Sequence, residues 1–170
     1  EAWLDDYALF TAVSHEYQSY NWMSWDRDIA LREKNAIDAW RLKMSDRMLI
    51  IKYAQFIFFR QWERFKEYAN GRGIKIVGDI PIYVSNDSAD AWSSRDILTI
   101  DPEKLEPEYI AGVPPDYFSE TGQLWGNPLY RWRNSSGRLR DDTYSWWRKR
   151  ISHAMLLCDV IRIDHFRGFD

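Results

Sequence analysis

The sequence predicts an α/β fold, and three observations carry that expectation. A long apolar helical pattern stops at Asn70-Gly71-Arg72-Gly73 and passes at once into the β-branched run Ile74-Lys75-Ile76-Val77. A second helical stretch, Thr143 to Leu157, runs into a strand-like segment from Asp159 to Asp164. Between the two lie residues 85–140, rich in Gly, Pro, Asn, Asp and Ser. Helix, glycine stop and β-branched strand make the αβ half of an α/β unit. Two strands separated by a helix are expected to be parallel. The 85-residue span from Asp79 to Asp164 is far longer than a plain crossover, so an insertion is expected at the C-terminal end of the first strand. In α/β barrels that end is the active-site face.

The elements follow in order. Trp3, Leu4, Tyr7, Ala8 and Phe10 form a helical stripe over residues 2–13, with a break expected near Ser14. Asn21 to Asp28 reads as a polar, Trp-containing connection. Ile29 to Asn70 reads as helix in two pieces, broken near Ser45-Asp46. Its second piece carries Ile50, Ile51, Phe56, Phe58, Phe59 and Trp62, apolar around most of the circumference, and is expected to be packed on more than one side. The insertion at 85–140 holds Trp92, Tyr109, Tyr117, Phe118, Trp125 and Tyr130, which flexible linkers lack, so it is expected to be ordered and functional. The last helix presents Trp146, Trp147, Ile151, Ala154 and Met155, with Arg148, Lys149 and Arg150 between them.

Composition narrows the function. The 170 residues carry 23 Lys+Arg against 26 Asp+Glu, a net charge of -3, so a globally basic nucleic-acid binder is excluded. Hydrophobic residues at 45% are enough for a core and argue against disorder. The longest apolar region, Met48 to Phe59, is interrupted by Lys52 and Gln55, and no membrane span is expected. The opening residues carry Glu1, Asp5 and Asp6, with no signal-peptide pattern and no initiator Met, so the numbering is expected to begin inside a larger protein. The single cysteine, Cys158, fits a reducing compartment, and a cytoplasmic location is expected. Ten Trp, ten Tyr and eight Phe bring aromatics to 16%. Such rings serve cores, interfaces and carbohydrate stacking; most are expected in the core, and a sugar-binding cleft is the functional alternative.

The sharpest candidate for chemistry is Val160-Ile161-Arg162-Ile163-Asp164. Alternation along a strand puts Arg162 and Asp164 on one face. A guanidinium beside a carboxylate keeps it ionised, as a carboxylate nucleophile requires; from spacing alone a structural ion pair at a strand end is the favoured reading, since Arg-x-Asp is short and not specific. Asp79 ends the other strand in the same manner and is open to either an active-site role or a helix cap. His165 follows Asp164 directly, within reach of a substrate hydroxyl. Metal readings are weak: His15, His153 and His165 are scattered, no Cys pair exists, and no P-loop or GxGxxG occurs.

Three longer blocks are more specific. They are Gly78-Asp79-Ile80-Pro81-Ile82-Tyr83-Val84, the stretch Ala111-Gly112-Val113-Pro114-Pro115-Asp116-Tyr117 continuing through Leu124-Trp125-Gly126-Asn127-Pro128-Leu129-Tyr130, and Arg162-Ile163-Asp164-His165-Phe166-Arg167-Gly168-Phe169. With Trp3-Leu4-Asp5-Asp6-Tyr7 and Phe58-Phe59-Arg60-Gln61-Trp62, they strongly resemble the 4-α-glucanotransferases, called amylomaltase in bacteria and disproportionating enzyme in plants. The resemblance covers nearly the whole chain. It implies part of a (β/α)8 TIM barrel, about strands three and four, with helical and loop-rich insertions. It implies retaining transfer of α-1,4-glucan segments between maltooligosaccharides, with no cofactor, metal, nucleic-acid or membrane partner. On the matching positions it implies Asp164 as nucleophile, Arg162 as the arginine beneath it and Asp79 as the acid of the third strand. It further implies that Gly112–Gln123 is a loop over the sugar subsites, with Asp116, Tyr117, Trp125, Asn127 and His165 in the substrate-binding region. The family also uses a Glu general acid/base and a further Asp, which the resemblance does not assign to these 170 residues. An internal fragment, inactive on its own, is therefore expected. An α-glucan hydrolase or branching enzyme, or a non-catalytic carbohydrate-binding segment, stands as the alternative.

Overall fold

The computed structural model describes residues 2–117 and 119–169. Phe118, one of the aromatics expected in the insertion, lies outside the described residues. The elements are α1 (Ala2–Tyr17), α2 (Arg27–Ala30), α3 (Lys34–Lys43), α4 (Ser45–Asn70), β1 (Val77–Ile80), α5 (Ala89–Ser93), β2 (Ile110–Val113), β3 (Gln123–Pro128), α6 (Asp141–Leu157) and β4 (Val160–Ile163). The chain divides into two compact units. One is Glu1–Lys52 with Tyr83–Arg131, the other Tyr53–Ile82 with Trp132–Asp170.

In the first unit α1 runs on past Ser14 to Tyr17. The expected break fails because the Ser14 hydroxyl donates to the Phe10 carbonyl one turn back, 2.8 Å away, and so is satisfied inside the helix. The helix stops instead where Gln18 adopts φ 53°, the left-handed residue that often ends a helix. The connection after it is not polar padding. Trp22 and Trp25 are buried, and with Phe10 and Trp92 they build the core. Ring centroids lie 5.4 Å apart for Phe10–Trp25 and 5.7 Å for Trp25–Trp92. Each indole N–H donates to a backbone carbonyl: Trp22 to Asn86, Trp25 to Ser19 and Trp92 to Ile29. Large rings with a satisfied polar edge are what a small core can bury without loss.

The expected helix from Ile29 is three helices. Arg32, at φ 58°, separates α2 from α3, and Met44 separates α3 from α4, close to the expected break. The residues of this chain leave a broad apolar face of α4 exposed. Leu49, Ile50, Tyr53, Phe56, Phe65 and Tyr68 are each more than half exposed in this chain.

The insertion carries structure of its own. Strands β2 and β3 pair antiparallel, Gly112 opposite Leu124 and Val113 opposite Gln123, with an irregularity between Ile110 and Gly112. The expected loop Gly112–Gln123 is thus the tip of a hairpin. Gly122 closes it at φ +76°, where a Cβ would lie 2.5 Å from the Val113 carbonyl oxygen. Gly126, at φ +79°, would meet nothing within 4 Å. The pair separates backbone strain from collision. Gly126→Ala is expected to cost about 1–2 kcal/mol, the left-handed penalty alone. Gly122→Ala is expected to cost clearly more, because the obstacle is backbone. Urea unfolding of both variants measures this, and equal losses would show that the hairpin tip yields.

In the second unit β1 and β4 form a two-stranded parallel sheet, as expected, with register Val77↔Val160, Gly78↔Ile161, Asp79↔Arg162 and Ile80↔Ile163. β1 lies three residues later than the Ile74–Val77 run that signalled it. The reason is local: Ile74 O accepts from Asn70 Nδ2, and Ile76 is held by Asp159, so residues 74–76 approach the sheet without pairing along it. Gly78 permits a close approach. A Cβ there would sit 2.2 Å from the Cys158 sulfur. Trp147 is buried on α6 and stacks with Trp132 at 6.5 Å and, edge-on, with Phe169 at 4.9 Å. Among the described residues, no helix is long and apolar enough to cross a membrane.

Candidate active site

The candidate residues fall into two sets, one in each unit. The set in the second unit is built by the parallel sheet. Register places Asp79 directly across from Arg162, and the pleat puts both on the exposed face. Arg162 donates from Nε to Asp79 Oδ1 and from one terminal nitrogen to Oδ2, both at 2.6 Å. This is the fork-on-fork geometry that makes Arg–carboxylate pairs directional. The guanidinium holds the Asp79 carboxyl below the ordinary carboxylate range. Asp79 in turn raises Arg162, and the charge of Asp164 adds to it through space. With side chains 65% and 54% exposed, the pair is open to solvent here, so it fixes orientation more than it stabilises the fold.

This differs from the pairing that the strand pattern predicts. Arg162 shares a face with Asp164, yet its hydrogen bonds go to Asp79. Alternation along one strand names the face; only the neighbouring strand supplies the better-placed acceptor. Asp164 follows the last residue of β4 and is exposed. Among the described residues, its carboxylate accepts one hydrogen bond, from the backbone N–H of His165 at 2.9 Å. His165 takes φ 53°, a left-handed conformation uncommon for a residue with a side chain. Such backbone strain is concentrated at functional sites. The arrangement leaves the Asp164 carboxylate exposed at the end of the strand and held by one backbone N–H.

The set in the first unit lies on the β2–β3 hairpin. Asp116 and Ser119 close the tip: Ser119 N donates to Asp116 Oδ1 and Asp116 N to Ser119 O, each at 2.9 Å. Ser119 Oγ then donates to the Gly122 carbonyl at 2.7 Å. Tyr117 stands on this turn 90% exposed. Trp125, on β3, packs beside Tyr83 with ring centroids 6.2 Å apart, and its indole N–H donates to Gln123 Oε1. Asn127 donates from Nδ2 to the Val84 carbonyl at 2.8 Å, tying β3 to the segment after β1. Asp116 and Asn127 thus hold backbone, while Tyr117 and Trp125 offer ring surface.

Sequence reasoning missed a supporting group that holds the end of α6 and the two residues leading into β4. Trp62, Lys66 and Asn70 are spaced four apart on α4, so they share one helix face. Trp62 Nε1 donates to the Leu157 carbonyl at 2.8 Å, and Lys66 Nζ to the carbonyls of Leu156 and Cys158 at 3.2 Å. Asn70 Nδ2 donates to Asp159 Oδ2 at 2.8 Å. The available signal was three side-chain donors at a helical period of four, obscured by the apolar residues around them.

A family model described as 4-alpha-glucanotransferase matches residues 1–170, the whole chain. The 4-alpha-glucanotransferase of Clostridium butyricum is 47% identical over 99% of this chain, and that of Synechocystis sp. 48% identical over 99%. A chloroplastic/amyloplastic 4-alpha-glucanotransferase of Arabidopsis thaliana is 42% identical over 98%. Among solved structures, amylomaltase from Streptococcus agalactiae in complex with acarbose superposes on all of this chain with a TM-score of 0.88 at 40% identity. The match takes in 34%, 32% and 28% of those three relatives and 34% of the solved chain, so this chain spans about a third of their length. A match over every residue, at identities near one half with bacterial relatives of a single name, shows that the chain belongs to the 4-alpha-glucanotransferase family.

Proposed function

We propose that the complete protein transfers α-1,4-glucan segments from a donor to an acceptor sugar with retention, and that this chain contributes the nucleophile. The observation that carries the reading is Asp164: an exposed carboxylate just beyond a parallel strand, steadied by one N–H, with the nearby cation committed to Asp79. Family membership and the names of the relatives support it. In this reading β1 and β4 are the third and fourth strands of a (β/α)8 barrel, residues 85–140 are its substrate-binding insertion, and the enzyme acts in the cytoplasm.

Asp164 attacks C1 of a glucosyl unit while a general acid protonates the departing glycosidic oxygen. The bond from C1 to that oxygen breaks, and a glycosyl ester forms on Asp164. The acceptor's 4-hydroxyl, deprotonated by the same group now acting as base, then displaces the carboxylate. Arg162 and Asp79 keep the strand ends in register beneath this exchange. Tyr117 and Trp125 stack on pyranose faces, with Asp116 and Asn127 shaping the hairpin and His165 reaching a sugar hydroxyl. Retaining chemistry needs two carboxyl groups about 5–5.5 Å apart. The family resemblance assigns only the nucleophile to this chain, so the 170 residues alone are expected to be inactive.

Product analysis on maltotriose with the complete protein tests the reading. Longer maltodextrins together with glucose are expected. Glucose and maltose alone would instead establish an α-glucan hydrolase.

A further inference from the structure

We infer that Asp159 is a positioning residue for the nucleophile strand, acting as a clamp that sets the register between β1 and β4; the inference rests on the reading of Asp164 above. Asp159 and Ile76 are joined twice. The Asp159 N–H donates to the Ile76 carbonyl at 2.8 Å, and the Ile76 N–H donates to Asp159 Oδ2 at 2.8 Å. The same oxygen accepts from Asn70 Nδ2 at 2.8 Å, which ties the clamp to α4. Lys66 Nζ lies 3.7 Å from Oδ1.

The clamp sits immediately before the first paired residues, Val77 and Val160. Counting three residues on from each partner gives Asp79 and Arg162, the two ends of the forked ion pair. A slip of one residue would set Arg162 opposite Gly78 or Ile80, break both hydrogen bonds and turn the side chains to the wrong faces. The paired strands are only four residues long, so few ladder hydrogen bonds resist such a slip. The carboxylate at 159 holds the register from one end and the Asp79–Arg162 fork holds it near the other. Asp164, two residues beyond Arg162, inherits its place from both.

A positioning role and a merely structural one differ in what they move. The test uses the complete protein and maltotriose. Asp159→Ala removes the acceptor, and misplacing a reacting group by about 1 Å costs on the order of 10²-fold. The expected result is a kcat lower by about ten- to a hundredfold with KM within about twofold. Asp159→Asn keeps at the Oδ2 position one oxygen that can accept from both the Ile76 N–H and Asn70 Nδ2. Its kcat is expected to return to within a few-fold of the parent. A folded Asp159→Ala with kcat within about twofold of the parent overturns the inference. So does an Asp159→Asn variant that loses as much as Asp159→Ala. If Asp159→Ala does not fold, Asn70→Ala reads the clamp from its other side. A lowered kcat at unchanged KM supports the clamp, and an unchanged kcat overturns it. Asp164→Asn, measured alongside, separates the two readings: if it retains transfer while Asp159→Ala loses kcat, the nucleophile assignment falls and the clamp stands.

Discussion

Asp164→Asn in the complete protein is expected to lower transfer by about 10⁴-fold or more, each tenfold being about 1.4 kcal/mol of barrier. Asparagine keeps the shape of the side chain. Its Oδ1 still accepts the His165 N–H that holds the carboxylate now, so β4 and the turn after it should be undisturbed. What is lost is the negative charge, and without it no glycosyl ester forms. Thermal unfolding close to that of the parent, together with the absence of a trapped covalent intermediate, would assign the loss to chemistry. A folded variant within a few-fold of the parent would show that Asp164 is not the nucleophile.

Arg162→Ala and Asp79→Ala are each expected to cost about 10²-fold in kcat, through positioning. The double variant should be no worse than the poorer single, because two hydrogen bonds at 2.6 Å make the pair one unit. Losses that multiply would mean that the residues act separately. The pair also predicts a pH signature. Asp79 is held below its ordinary value by Arg162, so the folded state favours the ionised carboxylate. Its contribution to stability is present above the unfolded value, about 3.9, and is lost as pH falls through the lower folded value. The difference in melting temperature between the parent and Arg162→Ala should therefore be steady near neutrality and shrink below about pH 4. A constant difference down to pH 2.5 would argue that the two side chains are not coupled.

The division of labour between sequence and tertiary structure is visible residue by residue. Local chemistry was legible. The Asn70–Gly73 stop, the break near Ser45 and the helix before β4 all depend on neighbours within a few positions, and the structure has them. The face shared by Arg162 and Asp164 follows from the two-residue period of a strand. The specific blocks around Asp79, Asp116 and Asp164 led to the family that the comparisons then showed.

Whatever depends on a partner distant in sequence was not legible. Ser14 reads as a helix breaker until its hydroxyl finds Phe10 O. The residues from Ala111 to Tyr130 read as loop because glycines and prolines mask two strands that exist only by pairing with each other. Arg162 has two carboxylates within its electrostatic reach, and only the register 83 residues back along the chain decides that it grips Asp79. The same holds for Asp159, whose acceptor role comes from Ile76 just before β1 and from Asn70 at the end of α4. By itself the sequence determined the long helices, the two parallel strands, the face shared by Arg162 and Asp164 and the family, because those depend on local periodicity and residue type. Tertiary structure alone decided which charge meets which, because a hydrogen bond is set by a few tenths of an ångström between atoms that only the fold brings together.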